Sequence, residues 1–198
     1  MKTDLIVAVY RESLNWLRER KFDNEKIYAY NKLPRDDYNF IESLPNVGRE
    51  SHTFIWHILK NYDKINSDYL MFLQGCPFIH FSGKRDNMSY VIFNHNYNLV
   101  HLYYPLGNVV ECDAIGQPYS PWDPGVYLIW DKLFGWDLPQ SFFAVNGAQQ
   151  IVHKSLIHNR SKKFWEIALE MHYEYEDAPW AFEILWSYIF DFRYKSMF

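Results

Sequence analysis

Two short segments constrain the fold more than anything else in the chain: Leu5-Ile-Val-Ala-Val9 and Tyr69-Leu-Met-Phe-Leu73 are apolar at every position. A strand wetted on one face alternates apolar and polar residues. A strand without alternation is covered on both faces, the situation of a strand inside a parallel sheet with helices on either side. The sequence around them supplies such helices. Ser13 caps a short helix through Arg20, and Lys26-Ile-Tyr-Ala-Tyr30 reads as a second strand. From Arg49 to Ile65 the residues Ile55, Ile58, Leu59 and Tyr62 recur at i, i+3, i+4 and i+7, one face of a helix. The expected class is α/β, a Rossmann-like domain with a mainly parallel central sheet flanked by helices.

The second half continues in kind after an interruption. Five of the nine prolines lie between Pro105 and Pro139, and Gly116-Gln-Pro-Tyr-Ser-Pro-Trp-Asp-Pro-Gly125 sustains no helix, so this stretch reads as an irregular, aromatic-rich region folded over the strand ends. A strand follows at Phe142 to Val145. Ser161 caps a helix carrying Phe164, Ile167, Ala168 and Met171 on one face, and the last helix starts after Asp177 with Pro179 in its first turn. On that last helix Ala181, Ile184, Leu185 and Tyr188 point inward together, leaving Glu183, Ser187 and Asp191 as a polar stripe.

Charge and composition remove several classes of function. The formal net charge is −4 and no basic run is long enough to grip a phosphate backbone, which argues against nucleic acid as a partner. Cys76 and Cys112 are too few for a secreted disulfide framework, so reduced thiols are expected. Leu5 to Val9 is short for a signal sequence, and no apolar stretch approaches the roughly 20 residues of a membrane span. A soluble, cytoplasmic protein is the expectation. Neither a His-Glu-x-x-His zinc motif nor a Gly-x-Ser-x-Gly nucleophile motif is present.

Open α/β sheets bind ligands at the carboxyl ends of their strands. Val9, Tyr10 and Arg11 end the first strand, where Tyr10 can stack on or hydrogen-bond a base; Arg11 and Glu12 read equally well as solvated charges. In Asn46-Val-Gly-Arg-Glu50, Gly48 permits close backbone approach, the helix N-terminus favours anions and Arg49 offers a fork for phosphate. The alternative for this segment is a plain helix start with Glu50 complementing the dipole. Gln74 and Gly75 end the buried strand and complete the candidate site.

Leu44-Pro-Asn-Val-Gly-Arg-Glu-Ser-His-Thr53, Phe72-Leu-Gln-Gly75 and Phe182-Glu-Ile-Leu-Trp186 together resemble a glycosyltransferase-A-like family, similar to the domain that chlorella viruses use to decorate their capsid protein. The resemblance covers both ends of the chain and little of residues 84 to 140. It implies one domain over residues 1–198, with 1–83 taking a nucleotide-sugar donor, uridine-linked, and 84–198 facing a saccharide or glycoprotein acceptor. Val9, Tyr10, Arg11, Asn46, Gly48, Arg49, Glu50, Gln74 and Gly75 would then hold the donor, and Tyr119, Trp122 and Trp136 would line the acceptor side. Glu183 is the candidate base for the acceptor hydroxyl, with Glu174, Glu176 and Asp177 as rivals and a solvated stripe as the alternative. Metal-dependent members carry an Asp-x-Asp pair where this chain has Gln74-Gly75-Cys76, which counts against a Mn²⁺ or Mg²⁺ cofactor. A catalytically inactive module that binds carbohydrate or protein is the second reading.

Overall fold

The computed structural model describes residues 2–19, 26–78, 102–107, 109–113, 125–135, 137, 141–145 and 147–190. Strand β1 (Thr3–Val9) is buried along its whole length, with the apolar run Leu5–Val9 covered on both faces and the polar Thr3 and Asp4 buried at its start. It pairs in parallel with β2 (Ile27–Asn31) on one side and β4 (Tyr69–Gln74) on the other, with Val9 opposite Asn31 and Ala8 opposite Gln74. The two-residue β3 (Glu42–Ser43) continues the parallel order beyond β2. Beyond β4 the direction reverses: β8 (Gln150–His153) is antiparallel to β4, and β5 (Tyr103–Pro105) is antiparallel to β8. The sheet runs β3-β2-β1-β4-β8-β5, a mixed sheet whose left four strands are parallel. A separate antiparallel pair joins β6 (Val109–Asp113) and β7 (Ser141–Val145).

Successive side chains of β1 and β4 enter opposite layers, the consequence of the two-residue period of a strand. Ile6, Ala8, Leu70 and Phe72 share one core cluster with residues of α2 (Arg49–Asn61), α4 (Lys154–His158), α5 (Lys162–Glu174) and α6 (Ala178–Ile189). Leu5, Val7, Val9, Met71 and Leu73 meet Leu14, Trp16 and Leu17 at α1 (Asn15–Glu19). Helix α2 ends at Asn61 and tightens into a 3₁₀ turn over Tyr62–Lys64, a few residues short of the expected end.

The sheet is mainly parallel, as expected, and the reversal at β8 makes it mixed, because the chain returns from β7 through a tight turn at residues 147–149 and re-enters beside β4. Three expectations change. The proline-rich middle is not wholly irregular: it contains β5, β6 and α3 (Val126–Phe134), which begins after Gly125 at φ +73° and buries Val126, Ile129 and Trp130 in the helical layer. Tyr119, Trp122 and Trp136 lie outside the described residues. On α5 Ala168 and Met171 are buried and Phe164 and Ile167 pack partly buried against the core, but the face turns further to bury Trp165 and His172, and the Trp165 indole N–H donates to the Ile157 carbonyl (3.1 Å). On α6 burial extends nearly all round, and the polar stripe is tethered: Ser187 donates to the Phe143 carbonyl, and Glu183 Oε1 accepts from the Gly147 amide at 2.5 Å. Asp191 lies outside the described residues.

Among the described residues no helix is long and apolar enough to cross a membrane. Cys76 is a free thiol.

Candidate functional site

After β1 the chain moves outward through β2 and β3, and it then crosses over so that β4 forms on the other side of β1. Such a reversal opens a crevice at the carboxyl ends of the two diverging strands, because the loops leaving them part in opposite directions. A cleft of about 370 Å³ lies at that point, lined by Ala8, Val9, Tyr10, Glu12, Lys32, Asn46, Arg49, Glu50 and Gln74.

The structure brings Val9, Tyr10, Asn46, Arg49, Glu50 and Gln74 together in the cleft wall. Arg11 is placed elsewhere. It is exposed, and its guanidinium lies 4.9 Å from the Tyr10 ring centroid, a cation–π contact rather than part of the lining.

Gly48 and Gly75 do not line the cleft; their missing side chains admit neighbouring residues. Gly48 sits at φ +63°, where a Cβ would collide with the His172 ring and come within 2.7 Å of His52 Cβ. A Cβ on Gly75 would lie 2.6 Å from Glu12 Oε2. The same carboxylate oxygen accepts from the backbone amides of Tyr10 (2.7 Å) and Arg11 (3.0 Å), while Trp16 Nε1 donates to the Gly75 carbonyl (2.8 Å). Glu12 is therefore a built part of the cleft rim, held by the loop that follows β1.

Arg49 follows Gly48 in a second left-handed conformation, φ 46°, which is costly for a residue with a side chain. Its side chain is half exposed. The guanidinium stands 5.2 Å from the Trp180 ring centroid, and its Nε is 3.7 Å from Glu50 Oε2. The N-cap position of α2, Gly48, provides no side-chain cap, so the first amides of that helix retain donor capacity beside Arg49 and Glu50.

Gln74 bridges β4 to the returning chain. Its side-chain amide donates to the Gly147 carbonyl (3.2 Å) and its backbone amide donates to Gln149 Oε1 (3.2 Å). Gly147 and Ala148 both have positive φ, 85° and 51°, and Glu183 closes this turn from α6 through the Gly147 amide. Glu183 does not line the cleft but stands close enough to feel it electrostatically. Burial pushes its carboxyl above the usual range and Glu50 adds to the rise, while the Gly147 amide and Arg49 oppose it.

Sequence reasoning missed Lys32. It sits directly after β2, its backbone amide bonded to the Val9 carbonyl (2.9 Å), and it is only 6% exposed. Its Nζ donates to the Val47 carbonyl (2.7 Å) and to His52 Nδ1 (3.0 Å). With Nδ1 accepting, His52 presents Nε2–H to the Tyr173 hydroxyl at 2.8 Å. Burial pulls Lys32 down to about 7, against a smaller opposing effect of Glu50. In the sequence this residue is a lone lysine between Asn31 and Leu33, and no local signal marks it as buried.

Among the described residues no three His, Cys, Asp or Glu side chains are grouped so as to hold a metal ion. Fold and cleft together define an α/β protein with a mostly parallel mixed sheet, compatible with a Rossmann-like fold, and a charged crevice at the point where strand order reverses. Comparison with family models, curated proteins and solved structures gives no match to the chain.

Proposed function

We propose that the protein transfers a glycosyl group from a nucleotide-sugar donor, uridine-linked, to a saccharide or glycoprotein acceptor. The observation that carries this reading is the convergence of Val9, Tyr10, Asn46, Arg49, Glu50 and Gln74 on one cleft at the switch point of the sheet. The cleft offers an aromatic ring and strand-end backbone for a base, and cationic side chains beside uncapped helix amides for a diphosphate. Glu183, beyond the rim, is the proposed base. Its raised proton affinity suits it to take the acceptor hydroxyl proton as that oxygen bonds to the anomeric carbon and the nucleoside diphosphate departs.

One observation favours a second reading, a module that binds such a ligand without turning it over. Glu183 Oε1 is already used by the Gly147 amide, as a purely structural carboxylate would be. The test is nucleoside diphosphate release from uridine-linked sugars with a panel of saccharide acceptors. Turnover by the wild type and its loss in Glu183→Gln is the expected result. Turnover unchanged in that variant removes Glu183 from the chemistry, and donor binding without any turnover favours the module.

A further inference from the structure

Lys32 is a buried charge without a counter-ion among the described residues. Burying an ammonium costs several kcal/mol unless an anion compensates it, yet Lys32 forms no ion pair among the described residues and gives its hydrogen bonds to two neutral acceptors, Val47 O and His52 Nδ1. The carboxylates that share its cleft are occupied elsewhere. Glu12 receives the Tyr10 and Arg11 amides, and Glu50 lies against Arg49. An ammonium has three N–H groups, so one remains, on a side chain that forms part of the cleft wall.

If holding the Val47 carbonyl were its only task, a neutral donor would serve at lower cost. We propose that Lys32 is the phosphate anchor of the cleft: the third N–H of its ammonium meets the diphosphate of the bound ligand, and the ligand supplies the counter-ion that the protein withholds. This deepens the nucleotide-sugar reading and rests on it for the identity of the ligand, though not for the anion site itself. Arg49 and the first amides of α2 lie on the same cleft and complete a cradle of fixed positive charge.

A consequence follows for protons. The groups facing Lys32 are Glu12, Glu50 and Arg49 in the cleft, with His52 and His172 behind it. Burial holds these two histidines neutral, at about 3 and about 4. Burial outweighs the smaller opposing effect of Glu50, so Lys32 is largely neutral in the empty cleft above pH 7 or so. Arrival of a diphosphate restores its charge, and the proton comes from solvent onto Nζ. Binding therefore takes up a proton.

The experiment is isothermal titration of inorganic pyrophosphate, UDP and uridine, in EDTA, at about pH 8 and in two buffers of different ionisation heat. Wild-type protein, Lys32→Met and Lys32→Arg are compared, and their folding is checked by thermal unfolding. The wild type should bind pyrophosphate and UDP, take up a proton with UDP, whose phosphates are fully ionised at this pH, and bind uridine far more weakly. Lys32→Met should lose about ten-fold or more in affinity for both phosphorylated ligands, together with the proton uptake. Lys32→Arg should retain affinity and lose the uptake, because its charge is permanent.

Unchanged affinity in Lys32→Met, or wild-type UDP binding with no proton uptake, overturns the proposal. The second measurement needs no variant and decides the matter if Lys32→Met does not fold. Pyrophosphate binding without added affinity for UDP supports the Lys32 anchor and removes the nucleotide reading. UDP binding that survives Lys32→Met does the reverse, and a wild type that binds neither overturns both.

Discussion

At Glu183 one carboxylate is divided between fold and proposed chemistry. Oε1 satisfies the Gly147 amide in a turn with two consecutive positive φ angles. The roles separate by substitution. Glu183→Gln keeps an oxygen acceptor at the same place, so stability and donor binding should stay near wild type while transfer is lost. Glu183→Ala leaves a buried amide without a partner and should cost about 1–3 kcal/mol in urea unfolding. Equal stability of the two variants would mean that the Gly147 bond contributes nothing. The sequence marked Glu183 for its place on an apolar helix, but its partner could not be read, since a turn's amide leaves no pattern in residue types. Gly48 and Gly75 are similar. Both positions call for glycine, but the groups needing the space, His172 and Glu12, come from other segments, and only the fold sets them there.

Among the elements, α2 carries the most information because its start is strained and its end is not. Arg49 adopts φ 46° although it has a Cβ, directly beside a cleft it helps to line. Strain of this kind persists where packing over-determines the backbone, here by the close fit of Gly48 against His172 and His52. Replacing Arg49 with Ala or Gly removes the same guanidinium, its contact with Trp180 included, but only Gly relieves the backbone. Arg49→Gly should be more stable than Arg49→Ala by about 1 kcal/mol in urea unfolding, with equal loss of pyrophosphate affinity. If the alanine variant is the more stable, the left-handed conformation is not costly. Strands β1 and β4 were legible from their unbroken apolar runs. The entry of β8 beside β4 was not, because a strand's direction depends on where the chain comes from. The rotated face of α5 escaped notice because Phe164 and Trp165 are adjacent aromatics, and periodicity alone does not decide which one the core takes.

At the scale of the whole molecule, the helical layer holds three buried histidines among the described residues, and these contribute to the response to acid. His52 and His57 are held down at about 3 and His172 at about 4, mainly by burial. Unfolded, each would take a proton near 6.5. Because the folded values are the lower ones, stability present above about pH 6.5 is lost as pH falls toward 4, with a slope approaching about 4 kcal/mol per pH unit when all three contribute. Lys32 acts in the same direction in another window. Its folded value of about 7 lies below its ordinary 10.5, so its burial penalty is relieved as pH rises through that interval. Urea unfolding at pH values on either side of 6 should show a steep loss on the acid side, and a flat profile would mean that the histidines are accessible to protons in the folded state.

The central claim is that the cleft between the ends of β1 and β4 takes a nucleotide-sugar. The most direct measurement is the thermal unfolding midpoint of the wild-type protein across nucleoside diphosphates and their sugars, each with and without Mn²⁺. A ligand that binds only the folded state stabilises it by mass action, by about 2.7 kcal/mol at a hundred times its Kd, and so raises that midpoint. A rise with uridine diphosphate and its sugars, present without added metal and smaller in Arg49→Ala, is the predicted result. No rise with any nucleotide, under either condition, would contradict the account.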